Sequence, residues 1–312
     1  MERSRFAHAH FVRSVLVVVA VLSLPSISKA QYPGFDDDLQ ASKVNTELVI
    51  ADIRPKLFND LPRAESEIYQ QIHFDVSPDS RVMQAYAWKD GNTRRVTVTE
   101  AMGRALKLNV DAFLIEKLYH KQNFLGEYMS YVCSRYQANY PNYAKGLPPS
   151  RIKSPYELAH VSIDDLYSDA DVNKSRAQIE GGAFAFLLAH EVAHHILNHV
   201  GHPSQSKQEQ REREKAADDW AINLLVKKAI NPVTGIVPML FFYYTTRHPI
   251  SSEPDRDHPA DARRLLDMYE GLQNRLPQFR QYIVASGQSY DNVQKQIQIS
   301  IKSIQDEIQA DE

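Results

Sequence analysis

The sequence is short of cysteine: Cys133 is the only one among 312 residues. A single thiol cannot form an internal disulfide, so the fold must depend on its hydrophobic core rather than on cross-links. Cys133 stands in a helical pattern beside Tyr131 and Val132. This context favours a small buried residue over a reactive thiol, and a cysteine nucleophile is therefore disfavoured.

The sequence also lacks a large excess of one charge and, after its N-terminal region, long apolar runs. The formal net charge is −3, which argues against nucleic acid as a partner because surfaces that bind nucleic acid are rich in positive charge. No segment after residue 30 is long and apolar enough to span a membrane. With 43% hydrophobic residues, a chain of this length can bury a sizeable core.

Residues 1–30 have the three parts of a secretory signal peptide. Arginines give a positive start, residues 15–24 form an apolar run too short for a comfortable membrane span, and small side chains occupy the end. We predict cleavage after Ala30, a flexible leader at 31–38 and a periplasmic or secreted protein. The alternative is an uncleaved N-terminal anchor.

One stretch carries recognisable chemistry, the motif His190-Glu191-x-x-His194, which follows a helical pattern at 182–189. Residues four apart lie on nearly the same face of a helix, so His190 and His194 can direct two imidazoles at one point, as a zinc ion requires. Glu191 lies about 100° further around the helix and can take a proton from the attacking water. The alternative is a set of polar residues on a partly exposed helix.

A second helical segment, residues 214–225, can supply a third ligand. Glu214 precedes Ala217 by three residues and so lies on the apolar face, where a carboxylate requires a cation. Asp218 can accept a hydrogen bond from a ligand histidine and fix its tautomer. The small side chains of Ala217 and Ala221 would let two helices approach closely. The alternative is a solvated Glu214 within a charged run.

The spacing after the motif disfavours one class of zinc peptidase. A metzincin continues with a glycine and then a third histidine, and this chain has Leu197 and Val200 at those two positions. A site with three histidine ligands in that arrangement is therefore disfavoured.

The segments on either side of the motif predict a small sheet and several helices. Residues 82–88 and 95–99 are strand-like and flank a turn at 89–92, which predicts a β-hairpin. Metallopeptidases commonly bind an extended substrate as an added strand at a sheet edge, so the hairpin either binds substrate or is purely structural. Helices are predicted at 100–108, at 111–140 with Asp111 as N-cap, at 238–244 and at 291–309.

Four features in combination resemble the M48 family of zinc metallopeptidases, gluzincins found in membranes and the periplasm. The resemblance covers roughly residues 40–275. Its features are His190-Glu191-x-x-His194 continued by Ile196-Leu-Asn-His199, the helix motif Glu214-x-x-x-Asp218, the motif His258-Pro259-x-x-x-Arg263, and a strand pair that includes residues 84–87 and 96–99.

The resemblance implies roles for the third of these motifs. His258 would approach the metal from its open side, either to donate to the developing oxyanion or to occupy a fourth coordination position. Arg263 would pair with a carboxylate near the site. The alternative is a histidine at a helix start and a surface arginine. The chain departs from the family in a long insertion at about 107–180, which would shape the cleft or act as a lid.

Together these observations predict an α+β, mainly helical fold: a zincin-like metalloprotease domain with a small antiparallel sheet. The domain would cover residues 39–275 and contain the inserted helical or lid segment at about 107–180. An amphipathic C-terminal helix would follow at 276–312.

The predicted function is that of an exported zinc-dependent endopeptidase. As the resemblance implies, its substrates would be unfolded or misassembled envelope or secreted polypeptides; we also consider peripheral association with a membrane or an envelope complex. The alternatives are a zinc-binding chaperone-like or latent protein, and a zinc hydrolase of non-peptide amides. One Zn²⁺ per chain would be held by His190, His194 and Glu214, with Glu191, Asp218 and His258 as catalytic residues.

Overall fold

The computed structural model describes residues 39–78, 83–144, 152–237, 239, 261–285 and 289–311. Within these residues the protein is mainly helical with one three-stranded sheet, which confirms the predicted α+β class. The predicted signal peptide, the leader at 31–38 and His258 lie outside the described residues.

The sheet lies early in the chain and most helices follow it. Helices α1 (Leu39–Phe58) and α2 (Arg63–Tyr69) precede strands β1 (Ile72–Ser77), β2 (Ala85–Asp90) and β3 (Thr93–Thr99). Next come α3 (Glu100–Leu118), α4 (Phe124–Ala144), α5 (Pro155–Ala159), α6 (Ile163–Ser168), α7 (Ala170–Ile196) and α8 (Lys207–Lys227). The described chain ends with a 3₁₀ turn (Pro232–Gly235), α9 (Asp261–Arg275), a second 3₁₀ turn (Leu276–Phe279), α10 (Arg280–Ala285) and α11 (Tyr290–Asp311).

The sheet has the strand order β1–β3–β2. The predicted hairpin is confirmed: β2 and β3 are antiparallel, with Ala87 opposite Val96, and Gly91 takes a φ of 57° in the turn, which glycine adopts without steric cost. The sheet is mixed rather than antiparallel because β1 pairs in parallel with β3, with Phe74 opposite Val96. Because β3 lies between β1 and β2, β2 is an edge strand among the described residues.

The helix that follows the sheet differs from the predicted one. Residues 100–118 form one continuous helix, so the prediction of Asp111 as an N-cap is wrong. Asp111 is fully buried inside α3, where its carboxylate accepts a hydrogen bond of 3.2 Å from the hydroxyl of Tyr167. That tertiary partner satisfies a polar side chain in a helix interior. The actual N-cap is Thr99, whose side chain accepts a hydrogen bond from the first turn.

Helix α7 runs through the core of the protein, and all its residues from 178 to 193 are buried. It begins at Asp169, whose carboxylate accepts hydrogen bonds from the first amides of the helix. It packs against α1, α3, α8, the sheet and the 3₁₀ turn at Pro232–Gly235. The turn approaches so closely that Thr234 lies against Gly182. The last two turns of α7, which carry the motif, are therefore held on several sides.

The C-terminal helix α11 packs against α9 and α10, and it buries isoleucines such as Ile297 and Ile304 in agreement with its amphipathic pattern. The predicted core helix at 238–244 lies outside the described residues except for Met239, which is buried. In the part of the chain that the structure describes, no helix combines the length and the apolar character that crossing a membrane requires.

Candidate metal centre

The two histidines of the motif lie one helical turn apart near the end of α7. The Nε2 atoms of His190 and His194 are 3.1 Å apart, and their rings are nearly perpendicular, at 79°. His190 is buried and His194 is partly buried. The helical spacing thus brings two ring nitrogens to one point, as the sequence predicts.

Glu214 on α8 brings a carboxylate to the same point. Its Oε2 lies 3.5 Å from Nε2 of His190, and its Oε1 lies 3.5 Å from Nε2 of His194. The two helices approach closely because their contact faces carry alanines without solvent exposure. These alanines are Ala189 and Ala193 on α7 and Ala217 and Ala221 on α8.

These three side chains meet the requirements of a metal site. Two ligands of a tetrahedral zinc ion at about 2.0–2.1 Å from the metal lie about 3.3 Å apart. Here the two histidine nitrogens are 3.1 Å apart and each lies 3.5 Å from a different oxygen of Glu214. One donor atom from each residue can be chosen so that all three lie within 4.8 Å of one another. Two imidazoles and one carboxylate are also a donor set that zinc accepts. His190, His194 and Glu214 could therefore hold a metal ion.

Asp218 orients the first histidine. Its Oδ1 lies 2.8 Å from Nδ1 of His190, so a proton on Nδ1 is held by the carboxylate and the Nε2 atom faces Glu214. Burial alone would raise the pKa of Asp218, but the guanidinium of Arg264 and the His190 ring lower it to about 2. The carboxylate therefore stays charged in the protein interior.

The partner of Asp218 on the other side is Arg264, on α9. Its Nε lies 2.7 Å from Oδ2 and its Nη2 lies 2.8 Å from Oδ1, a bidentate ion pair. The same guanidinium reaches Glu214, with Nη1 3.6 Å from Oε2. The resemblance to M48 peptidases implied that Arg263 would pair with a site carboxylate, whereas the guanidinium that contacts Asp218 is that of Arg264. The helical period contains a signal for this, since Arg264 precedes the buried Met268 by one turn.

His199 is a further functional candidate, for which the sequence predicted no role. It lies in the turn after α7, and its Nδ1 is 3.0 Å from Nδ1 of His194. The two rings are 5.2 Å apart at 65°. Each histidine of the motif therefore has a separate hydrogen-bonding partner, Asp218 for His190 and His199 for His194.

Glu191 is buried next to the donor atoms and faces the sheet edge. Burial raises the pKa of its carboxyl to about 7, and Glu214 adds to this effect. His190, Arg264 and the backbone amide of Ala87 on β2 act in the opposite direction. A carboxyl with a pKa near neutrality can both accept and return a proton, which is the requirement for a general base.

The pKa values of the two motif histidines are shifted in opposite directions. Burial alone would lower the pKa of His190, but Asp218 and a hydrogen bond with Glu214 raise it to about 10. Burial lowers the pKa of His194 to about 3, and the neighbouring His190 adds to this effect. At neutral pH a metal ion therefore has to displace a proton from His190 but not from His194.

His195, which directly follows the motif, fixes α7 to the sheet. The ring of His195 has no solvent exposure, and its Nε2 lies 2.9 Å from the backbone oxygen of Arg95 on β3. This contact ties the end of α7 to β3, the central strand of the sheet. His258, the remaining predicted site residue, lies outside the described residues.

The sequence matches one known family. The model of the family described as peptidase U49 matches residues 120–280, just over half of the 312 residues. The chain belongs to the peptidase U49 family. The segment matched to U49 runs from α4 to α10 and contains all three donor residues, together with Glu191, Asp218 and Arg264. No curated protein and no solved structure matches the chain, and the resemblance to M48 peptidases stays a prediction.

Proposed function

We propose that the protein is an exported zinc-dependent endopeptidase of the M48 type that cleaves unfolded or misassembled polypeptides. The observation that carries the proposal is the convergence of His190, His194 and Glu214, which offer one donor atom each within 4.8 Å of one another, with the buried Glu191 beside them. A purely structural metal site has no need of a base next to its ligands. Membership of a peptidase family supports the same reaction.

His190 and His194 through Nε2, and Glu214 through its carboxylate, would hold the zinc ion. When bound, zinc supplies a Lewis acid that polarises a peptide carbonyl and lowers the pKa of water. The alternative Lewis acids that accept this donor set are other divalent transition metals. The choice of zinc rests on the preference of this ion for four ligands drawn from imidazole and carboxylate.

Glu191 would be the general base. Its carboxylate takes a proton from the attacking water and then passes the proton to the amine that leaves as the peptide bond breaks. In the metal-free protein burial raises the pKa of this carboxyl to about 7, and a neighbouring metal ion would favour its charged form, which accepts the proton.

Asp218 and Arg264 would be positioning residues rather than participants in proton transfer. Asp218 holds the proton of His190 on Nδ1 and leaves Nε2 free to act as a ligand atom. Arg264 offsets the cost of burying the Asp218 charge and draws one oxygen of Glu214 into place. As the resemblance to M48 peptidases implies, His258 would donate a hydrogen bond to the developing oxyanion.

The substrate would lie along the edge of β2 that has no neighbouring strand among the described residues. This strand passes the catalytic base, since the amide of Ala87 faces the Glu191 carboxylate. An extended polypeptide added at a sheet edge is held by backbone hydrogen bonds, and only an unfolded or loosely folded segment can supply them. This geometry favours unfolded polypeptides over compact proteins as substrates.

The decisive experiment measures zinc content and cleavage of unfolded casein on three proteins: the wild type, Glu191→Gln and Glu214→Ala. We expect Glu191→Gln to retain zinc and lose cleavage, and Glu214→Ala to lose zinc. Glu212→Gln, a change of an exposed carboxylate on the same helix as Glu214, is the matched control and should retain both.

The other outcomes separate the alternatives. A wild type that binds zinc and cleaves no polypeptide would support a latent or chaperone-like zinc protein. Cleavage of small amides without cleavage of casein would support a zinc hydrolase of non-peptide substrates. A wild type without zinc after growth and assay in zinc would contradict the proposal.

A further inference from the structure

The outer face of the sheet carries two exposed aromatic residues on the strand nearest the metal centre. Tyr86 and Trp88 are 39% and 36% exposed, and they stand two positions apart on β2, so their side chains point to the same face. On the opposite face, Ala85 and Ala87 pack against the hydrophobic core. Large aromatic side chains at the surface bind partners well because they bury much area at a low entropic cost.

Contacts across the sheet hold Trp88 in place. Its Nε1 donates a hydrogen bond of 2.9 Å to Oγ1 of Thr97 on β3. The guanidinium carbon of Arg95 lies 5.6 Å from the centre of the Trp88 ring, and Arg95 is itself held by Asp75 at 2.8 Å. The indole is therefore oriented before any ligand arrives, which lowers the entropic cost of binding.

The position of Ala87 relates this aromatic pair to the site. Ala87 lies between Tyr86 and Trp88, and its amide faces the carboxylate of Glu191. In a strand added to the edge of β2, the residue opposite Ala87 therefore passes the catalytic base. The residues before and after it lie on the outer face, opposite the two aromatic side chains, because side chains alternate along a strand.

We propose that Tyr86 and Trp88 select substrate segments of the pattern large apolar, any residue, large apolar, with cleavage within or directly beside this triplet. The inference rests on the proposed peptidase function and adds a substrate class to it. Apolar and β-branched side chains pair favourably with aromatic residues across neighbouring strands. The small Ala87 places few demands on the middle residue.

This pattern also matches the state of the polypeptides that the site would meet. In a folded sheet, alternating apolar residues point into the core and are covered, whereas in an unfolded chain they are exposed. A peptidase that recognises alternating apolar residues would therefore cleave proteins that have lost their native sheets and would not cleave proteins that have kept them.

The first test compares two quenched-fluorescence peptides of identical composition, one with leucines two positions apart and one with the same leucines adjacent. For the wild type we expect kcat/KM to be about tenfold higher for the peptide with spaced leucines. Tyr86→Thr and Trp88→Thr, which keep a strand-forming residue, should reduce this preference to about twofold or less. Tyr119→Thr removes an aromatic residue that is 37% exposed, away from the sheet, and should keep the preference.

A second measurement separates binding from catalysis. In Glu191→Gln/Trp220→Phe, Trp88 is the only tryptophan, so its fluorescence reports a ligand on the outer face. We expect the peptide with spaced leucines to change this fluorescence with a Kd about tenfold lower than the peptide with adjacent leucines.

The outcomes distinguish the two proposals. If the wild type cleaves both peptides equally, or if the Tyr86 and Trp88 variants keep the preference, the inference is wrong and the peptidase function stands. An unchanged Trp88 signal would also overturn the inference. If Glu191→Gln/Trp220→Phe binds the peptide with spaced leucines selectively but the zinc-loaded wild type cleaves neither peptide, the peptidase function is contradicted. The role of Tyr86 and Trp88 as a binding surface would then still hold.

Discussion

Nδ1 of His194 lies 3.0 Å from Nδ1 of His199. Two ring nitrogens at this distance share one proton, so one is the donor and the other the acceptor. When Nε2 of His194 binds a metal ion, the proton of the ring is on Nδ1, and His199 would accept it. His199 would then have the same relationship to His194 that Asp218 has to His190.

His199→Leu should weaken zinc binding about 10–100-fold, the usual effect of removing a partner of a ligand histidine. His199→Asn should retain most of the affinity, because the asparagine carbonyl can occupy the position of Nδ1 and accept the same proton. Competition with a chromogenic chelator measures both. His202→Leu, an exposed histidine in the same turn, is the control. Equal losses in the leucine and asparagine variants would mean that His199 acts only by packing.

Arg264→Met should destabilise the metal-free protein by about 3 kcal/mol, because it removes the cationic partner of a buried carboxylate. Chemical unfolding in urea, followed by circular dichroism, gives the free energy. Arg63→Met is the control, since the Arg63 side chain is 93% exposed, and should change stability by less than about 0.5 kcal/mol. Adding Asp218→Asn to Arg264→Met should recover part of the loss; a strictly additive double variant would argue against the pairing.

Zinc affinity should rise with pH, by about tenfold per unit between about pH 6 and pH 8. The pKa of His190 is raised to about 10, so the ring is protonated throughout this range and zinc must displace that proton. The stability that the charged ring gives to the metal-free fold is complete below its ordinary pKa and is lost as pH rises through about 10. Calorimetry in buffers of different ionisation enthalpy counts the released protons. Asp218→Asn should release fewer, because it removes the charge that raises the pKa of His190.

Gly182→Ala should destabilise the protein by about 1–3 kcal/mol, although alanine is the better helix former. A Cβ at this position would overlap Thr234, and the 3₁₀ turn would have to move away from α7. Gly271→Ala is a matched control in another helix, where the nearest atom to an added Cβ is the flexible end of Arg275 at 3.1 Å. It should be neutral or stabilising. Urea unfolding measures both, and equal effects would contradict the tight contact between Gly182 and Thr234.

Tyr167→Phe should destabilise the protein by roughly 1–3 kcal/mol. The Tyr167 hydroxyl accepts a hydrogen bond from Tyr156 at 2.8 Å and donates one to the buried Asp111, so its removal leaves two buried groups without that partner. The loss should fall mainly on α5 and α6, which hydrogen–deuterium exchange can localise. Faster exchange spread evenly over the whole protein would argue against a local role for the hydroxyl.

The metal centre was largely accessible from the sequence because helical periodicity is a strong local constraint. A spacing of four fixes His190 and His194 on one face, and the same rule relates Glu214 to Asp218. The close approach of the two helices follows from their alanines. These inferences need only the neighbours along one helix, and the structure brings the same residues together.

Other parts were not accessible because they depend on contacts between distant segments. The parallel pairing of β1 with β3 is set by the route of the chain between strands, which leaves no periodic signal. Asp111 resembles an N-cap locally, and only the distant Tyr167 explains why it lies inside a helix. The choice between Arg263 and Arg264 depended on which face of α9 is turned towards α8, for which the sequence offers only the one-turn spacing between Arg264 and the buried Met268.

The burial of α7 has a consequence for how the protein acquires its metal. Two of the three donor residues, His190 and His194, belong to a helix that the core holds on several sides, so their position is set by hydrophobic packing. Small zinc domains fold only when the ion arrives, whereas here folding and loading would be separate events. A metal ion could then be withdrawn by a chelator and returned without refolding, and for the proposed zinc peptidase the supply of zinc would set how much of the protein is active at any moment.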